Sequence, residues 1–136
     1  EPFYGAKFIR DLYEMANDTH GKYSVPVLWD KKLKTIVSNE SSEMVLMLNS
    51  EFNDFASDPK LDLNPKALQK KMASVDGWIY DNINNGVYKC GFAKSQEAYE
   101  DAIKMYTDHM QKLDKLLAST KFLAGDQFTM SDIRLF

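Results

Sequence analysis

The chain has 136 residues, 44% of them hydrophobic and 27% charged, which is the composition of a globular protein and not of a disordered or low-complexity one. Seventeen basic and twenty acidic side chains leave a net charge of −3 with no dense basic cluster, which argues against a nucleic-acid partner. The longest unbroken apolar run, Met44 to Leu48, is five residues, against about 20 for a membrane-spanning helix, so no membrane partner is expected.

A single cysteine, Cys90, excludes an intrachain disulfide and any CxxC metal or redox motif. No metal site is expected, and a reducing, cytoplasmic compartment fits best. The sequence opens on Glu1 without a secretory signal, and residues 130–136 look like the first turns of a helix. Further sequence is therefore expected on both sides.

From Gly5 to Ala16, apolar residues at Phe8, Ile9, Leu12, Tyr13 and Ala16 recur at helical spacing. Tyr23 to Trp29 and Thr35 to Val37 are short β-branched and aromatic runs around a polar turn, the pattern of a hairpin. Ser38 or Asn39 then caps a helix whose apolar face carries Met44, Val45, Leu48 and Phe52. Ala56 to Asn64, with Asp58-Pro59, breaks the periodicity and reads as a linker.

Everything after the linker is helical. Asn64 and Pro65 open a long helix through Met72, Val75, Ile79 and Ile83, expected to end near Asn84-Asn85-Gly86. A loop from Val87 to Lys94, carrying Tyr88 and Cys90, leads to a second long helix capped by Ser95. Its stripe is Ala98, Tyr99, Ala102, Ile103, Tyr106, Met110, Leu113 and Leu117. After Gly125-Asp126, Thr129 and Asp132 stand at capping-box spacing. The fold class is α/β followed by all-α, with domains at 1–56 and 57–136.

Two stretches carry candidate chemistry. Pro26, in Ser24-Val25-Pro26-Val27, suits an ordinary edge-strand proline or a turn that frees the Val25 backbone to pair with a peptide-like ligand. Asn39-Glu40-Ser41-Ser42-Glu43 puts hydroxyls and carboxylates at a helix start, where exposed amides attract a carboxylate. Such a cluster suits capping alone, or an α-amino acid end group held by Ser41 at its carboxylate and Glu40 at its ammonium. His20 and His109 lack an acidic orienter and read as surface or interface residues, and the methionines as core filling. Trp29 and Trp78 are expected at the junction of the two domains.

The stretch VPVLWDKKLKTIVSNESSEMVLMLNSEFND, from Val25 to Asp54, closely resembles the glutathionyl-hydroquinone reductases, the Xi class of the glutathione transferase superfamily. NGVYKCGFAKSQEAYE, from Asn85 to Glu100, and FLAGDQFTMSDIRLF, from Phe122 to Phe136, continue the match over nearly the whole chain. The resemblance implies the C-terminal part of a thioredoxin-like domain followed by a truncated helical domain. It implies that Val25, beside a cis Pro26, pairs with the cysteinyl backbone of glutathione, while Glu40 and Ser41 hold the γ-glutamyl end. Glutathione would be a co-substrate, a glutathionylated aromatic compound the second substrate, and the assembly a homodimer. The implied reaction reduces a glutathionyl-hydroquinone to the hydroquinone, with Tyr88 facing the aromatic substrate.

The sequence departs from this family in one respect that bears on chemistry. The family's nucleophile lies in a Cys-Pro-Trp motif, and the 136 residues contain none. Cys90 is not its replacement, because it follows Tyr88 by two positions in a context that suits a small packed thiol. The chain is thus expected to be an internal part of a longer enzyme and inactive alone. The competing expectation is a non-catalytic module that keeps the fold as a partner-binding scaffold.

Overall fold

The computed structural model describes residues 4–136. The chain divides after Lys60 into two compact units. The order of elements is α/β and then all-α.

The first unit begins with helix α1 (Ile9–Met15), shorter than the apolar spacing from Gly5 predicts. Asp11 sets its start: Oδ2 accepts from the amides of Lys7 at 2.8 Å and Phe8 at 3.1 Å. Those bonds, the Phe8 one foremost, hold the Asp11 carboxyl below the usual carboxylate range. Asn17, at φ 56°, then turns the chain out of the helix. Residues Tyr23 to Val27, predicted as strand, make no ladder. The hairpin consists of β1 (Leu28–Asp30) and β2 (Thr35–Ser38), antiparallel, with Trp29 opposite Ile36 and a bulge between Leu28 and Trp29. Asp30 Oδ1 accepts from the amides of Lys32 and Leu33, both at 2.8 Å, and Lys34 takes φ 53° to complete the turn.

Helix α2 (Ser41–Ser50) follows the hairpin, and none of its residues is buried. Its expected apolar face is only half covered: Met44 and Val45 are partly buried, whereas Leu48 is 64% exposed and Phe52 is exposed. An apolar groove of about 800 Å³ lies between the hairpin and α2, lined by Trp29, Val37, Met47 and Phe52 among others. The buried Nε1 of Trp29 has no partner among the described residues. A two-stranded sheet and two short helices cannot cover that much apolar surface, and a lone hairpin is marginally stable in water. Heating the 136-residue chain by itself should therefore give a broad or irreversible unfolding profile. A sharp, reversible transition from a monomer, followed by circular dichroism, would contradict this.

The second unit has a core of Val75, Ile79, Ile83, Leu113 and Leu123, with Trp78, Tyr106, Leu116 and Leu135 packed against it. Helix α3 spans Gln69–Ile79; its start is preceded by a turn from Pro65 to Leu68, so Pro65 does not hold the first helical position. No helix end occurs at Asn84-Asn85-Gly86. A π-helical turn, Tyr80–Asn84, leads without a break into α4 (Asn85–Gly91), so Val87, Tyr88 and Cys90 are helical rather than in a loop. Gly86 serves the packing instead of the turn: a Cβ there would lie 3.1 Å from Tyr106 Cδ2, so glycine admits the close approach of the next helix.

Helix α5 (Gln96–Ser119) starts where predicted, with Ser95 Oγ accepting from the Ala98 amide at 3.1 Å. The face it buries runs through Tyr106, Leu113 and Leu116, while Ala98, Tyr99, Met110 and Leu117 of the expected stripe are exposed. His109 lies half-buried on the same helix, with Nδ1 2.8 Å from the Met105 carbonyl and its ring 5.9 Å from Trp78. Helix α6 (Met130–Leu135) follows a short turn. Asp132 Oδ2 accepts from the Thr129 amide at 2.8 Å and the Thr129 hydroxyl at 3.0 Å, and Oδ1 accepts from the Leu123 amide at 2.9 Å. The capping box is present, and its carboxylate also ties the preceding turn to the helix. Among the described residues no helix is long and apolar enough to cross a membrane.

Candidate functional site

The local chemistry around Glu40 separates capping from binding. Ser38, the last residue of β2, accepts the Glu40 amide on Oγ at 3.1 Å and donates the same hydroxyl to Glu43 Oε2 at 2.9 Å. The Glu40 carbonyl accepts the amides of Glu43 at 3.1 Å and Met44 at 3.0 Å. Those bonds organise the start of α2 without the Glu40 side chain, which occupies the N-cap position but makes no capping hydrogen bond. Asn39 is also committed elsewhere: Nδ2 donates to the Tyr13 hydroxyl at 3.0 Å and to Ser24 Oγ at 3.2 Å.

Of the five polar residues from Asn39 to Glu43, two have fixed structural partners at their side chains, and Glu40 and Ser41 have none among the described residues. Among the described residues the amides of Ser41 and Ser42, in the first turn of α2, have no partner either. An exposed hydroxyl and two outward amides suit a carboxylate, and the free Glu40 carboxylate suits an ammonium.

Val25 stands in the same unit. The Val25–Pro26 peptide is cis, as the resemblance implies, and Val25 is 72% exposed. Among the described residues its backbone N–H and C=O have no hydrogen-bond partner, a donor and acceptor pair open to an extended peptide-like ligand. Ser24, just before it, is tied down: its carbonyl accepts the Tyr13 hydroxyl at 2.8 Å.

Tyr88 belongs to the other unit, on α4. It is 63% exposed and lies parallel to Phe92, which is 77% exposed, with ring centroids 6.3 Å apart and planes 9° apart. Its hydroxyl has no partner among the described residues. A flat exposed aromatic face with a free phenol suits an aromatic ligand. Cys90, two residues on and about half a turn round α4, is a partly buried free thiol. Trp29 stacks edge-on to Tyr4 within the first unit, and Trp78 lies under Lys112 Nζ, 4.1 Å from its ring centroid, within the second.

No family model matches the chain. It is 44% identical over 137 residues to a glutathionyl-hydroquinone reductase of Escherichia coli, covering 100% of this chain and 42% of that protein. Among solved structures, the Xi glutathione transferase of Phanerochaete chrysosporium superposes with a TM-score of 0.91 at 45% identity, over 99% of this chain and 46% of that one. The chain is a relative of the Xi-class glutathione transferases. The Saccharomyces cerevisiae Xi transferase, solved in complex with glutathione, superposes with a TM-score of 0.93 at 40% identity, over 99% of this chain and 47% of that one. This Xi-class relative thus has a glutathione-transferase fold, with a partial thioredoxin-like unit and a helical unit. It spans less than half the length of the curated relatives it matches.

Sequence reasoning missed the tie between Tyr13, Ser24 and Asn39. Tyr13 was one apolar member of a helical stripe, and nothing in the local pattern joins residues 11 and 26 positions apart.

Proposed function

We propose that the protein carrying this sequence is a glutathione-dependent enzyme that reduces glutathionyl-hydroquinones to hydroquinones. The observation that carries the glutathione site is the division of labour at α2, where Ser38 bonds to Glu43 and to the Glu40 amide and the Glu40 and Ser41 side chains are left free among the described residues. In this reading Val25 pairs through its backbone with the cysteinyl residue of glutathione, Ser41 and the α2 amides take the γ-glutamyl carboxylate, and Glu40 takes the ammonium. The reductase name of the Escherichia coli relative supports the reaction class.

The reaction balances as two displacements. A thiolate attacks the sulfur that joins glutathione to the aromatic ring; a sulfur–sulfur bond forms, the carbon–sulfur bond breaks, and the ring carbon takes a proton. A second glutathione thiolate then displaces the first at the mixed disulfide. The net products are the hydroquinone and oxidised glutathione. In the family that the chain resembles, the first thiolate belongs to a Cys-Pro-Trp motif, which these 136 residues lack. What this chain contributes in this reading is the glutathione site and the Tyr88 phenol, whose role is to donate a hydrogen bond as charge develops on the substrate oxygen. The proposal includes a cytoplasmic homodimer.

Steady-state kinetics with a glutathionylated hydroquinone test the assignment in the protein expressed from its complete reading frame. Tyr88→Phe should lower turnover by on the order of tenfold or more, the scale of one general acid or oxyanion donor, with glutathione binding little changed. Cys90→Ser should keep most of the activity, since a partly buried thiol on α4 has no assigned role. The opposite pattern would move the active site to Cys90. The competing reading is a non-catalytic scaffold that keeps the fold. Glutathione binding without any turnover would support it.

A further inference from the structure

We infer that Tyr13, Ser24 and Asn39 form a positioning network that holds the two halves of the glutathione site in register, an inference that rests on the site proposed above. The two halves lie on separate segments: Val25 in a stretch without ladder bonds, and Glu40 and Ser41 at the junction of β2 and α2. A ligand that bridges them binds tightly only if their separation is set before it arrives. No backbone hydrogen bond ties Val25 to either neighbour among the described residues. Side chains supply the tie.

The donors and acceptors of the network fit one arrangement. Tyr13, 1% exposed and seated edge-on against Tyr23, has a single hydroxyl proton, which goes to the Ser24 carbonyl at 2.8 Å. The phenol oxygen then accepts from Asn39 Nδ2 at 3.0 Å, and from the Ser24 hydroxyl at 3.1 Å. Asn39 Nδ2 spends its second proton on Ser24 Oγ at 3.2 Å. Every proton and lone pair required is present, so the triangle is closed. One corner is the residue before Val25, another is the residue before Glu40, and the third is a buried ring on α1. Loss of any corner lets the ligand-facing segments drift apart while leaving every proposed ligand contact in place.

Titration with reduced glutathione, well below each variant's thermal midpoint, tests this in the protein expressed from its complete reading frame. Tyr13→Phe keeps the ring and removes the hydroxyl; Asn39→Ala, at a half-buried position, guards against loss of folding in the first. Each should weaken binding about five- to tenfold, the scale of one or two neutral hydrogen bonds. Ser24→Ala should weaken it and Ser24→Thr, which keeps the hydroxyl, should restore it. The Tyr13→Phe effect should shrink in a Glu40→Ala background, because the network acts through Glu40 and Ser41. If Glu40→Ala and Ser41→Ala weaken binding while Tyr13→Phe and Asn39→Ala lower only the midpoint, the network is structural and the inference is overturned with the site intact. If all variants bind glutathione as the parent does, the site assignment fails and this inference with it.

Discussion

Ser41→Ala and Glu40→Ala are each expected to weaken glutathione binding roughly ten- to a hundredfold, the equivalent of about 1.5–3 kcal/mol for a hydrogen bond to a charged group. The structure removes the usual objection that such residues merely cap a helix. Ser38 Oγ and Glu43 Oε2 organise the start of α2, so truncating Glu40 or Ser41 deletes no capping bond. Thermal midpoints should accordingly stay close to that of the parent protein while affinity falls. Calorimetric titration with glutathione reads the first quantity and a melting curve the second. Unchanged affinity in both variants would return the cluster to helix capping and dissolve the proposed site.

Asp132→Ala should destabilise the second unit by about 3 kcal/mol or more, because it orphans several donors at once and buried unsatisfied groups cost about 1–3 kcal/mol each. The carboxylate receives the Leu123 amide, the Thr129 amide and the Thr129 hydroxyl, and Thr129 is fully buried. Water cannot replace a partner there. Leu123 is itself a core residue, so releasing its amide loosens the turn that delivers its side chain to Val75 and Leu113. Asp132→Asn, with one acceptor oxygen instead of two, should recover part of the loss. Chemical denaturation of the two variants measures the difference, and a loss below about 1 kcal/mol for Asp132→Ala would mean that the box is dispensable.

Where the governing interactions are local, the sequence alone determined the structure of this chain. Ser95 and the Thr129–Asp132 pair were legible as helix starts because a cap needs only a side chain and an amide two or three residues on. The hairpin was legible from β-branched runs around a polar turn, and the start of α2 from the hydroxyls and carboxylates around it. Tertiary structure decided the rest. Asn84-Asn85-Gly86 has the composition of a helix end, yet the chain continues through a π-helical turn because Gly86 lets α4 close on Tyr106 of α5, and packing outweighs propensity. Leu48 and Phe52 have the spacing of a buried face and stay exposed, since burial depends on what stands opposite and not on periodicity. Within the Asn39–Glu43 cluster, composition cannot tell which residues are spent on structure. The partners that decide it, Tyr13 and Ser24 for Asn39, are 26 and 15 positions away and meet it only in the folded chain.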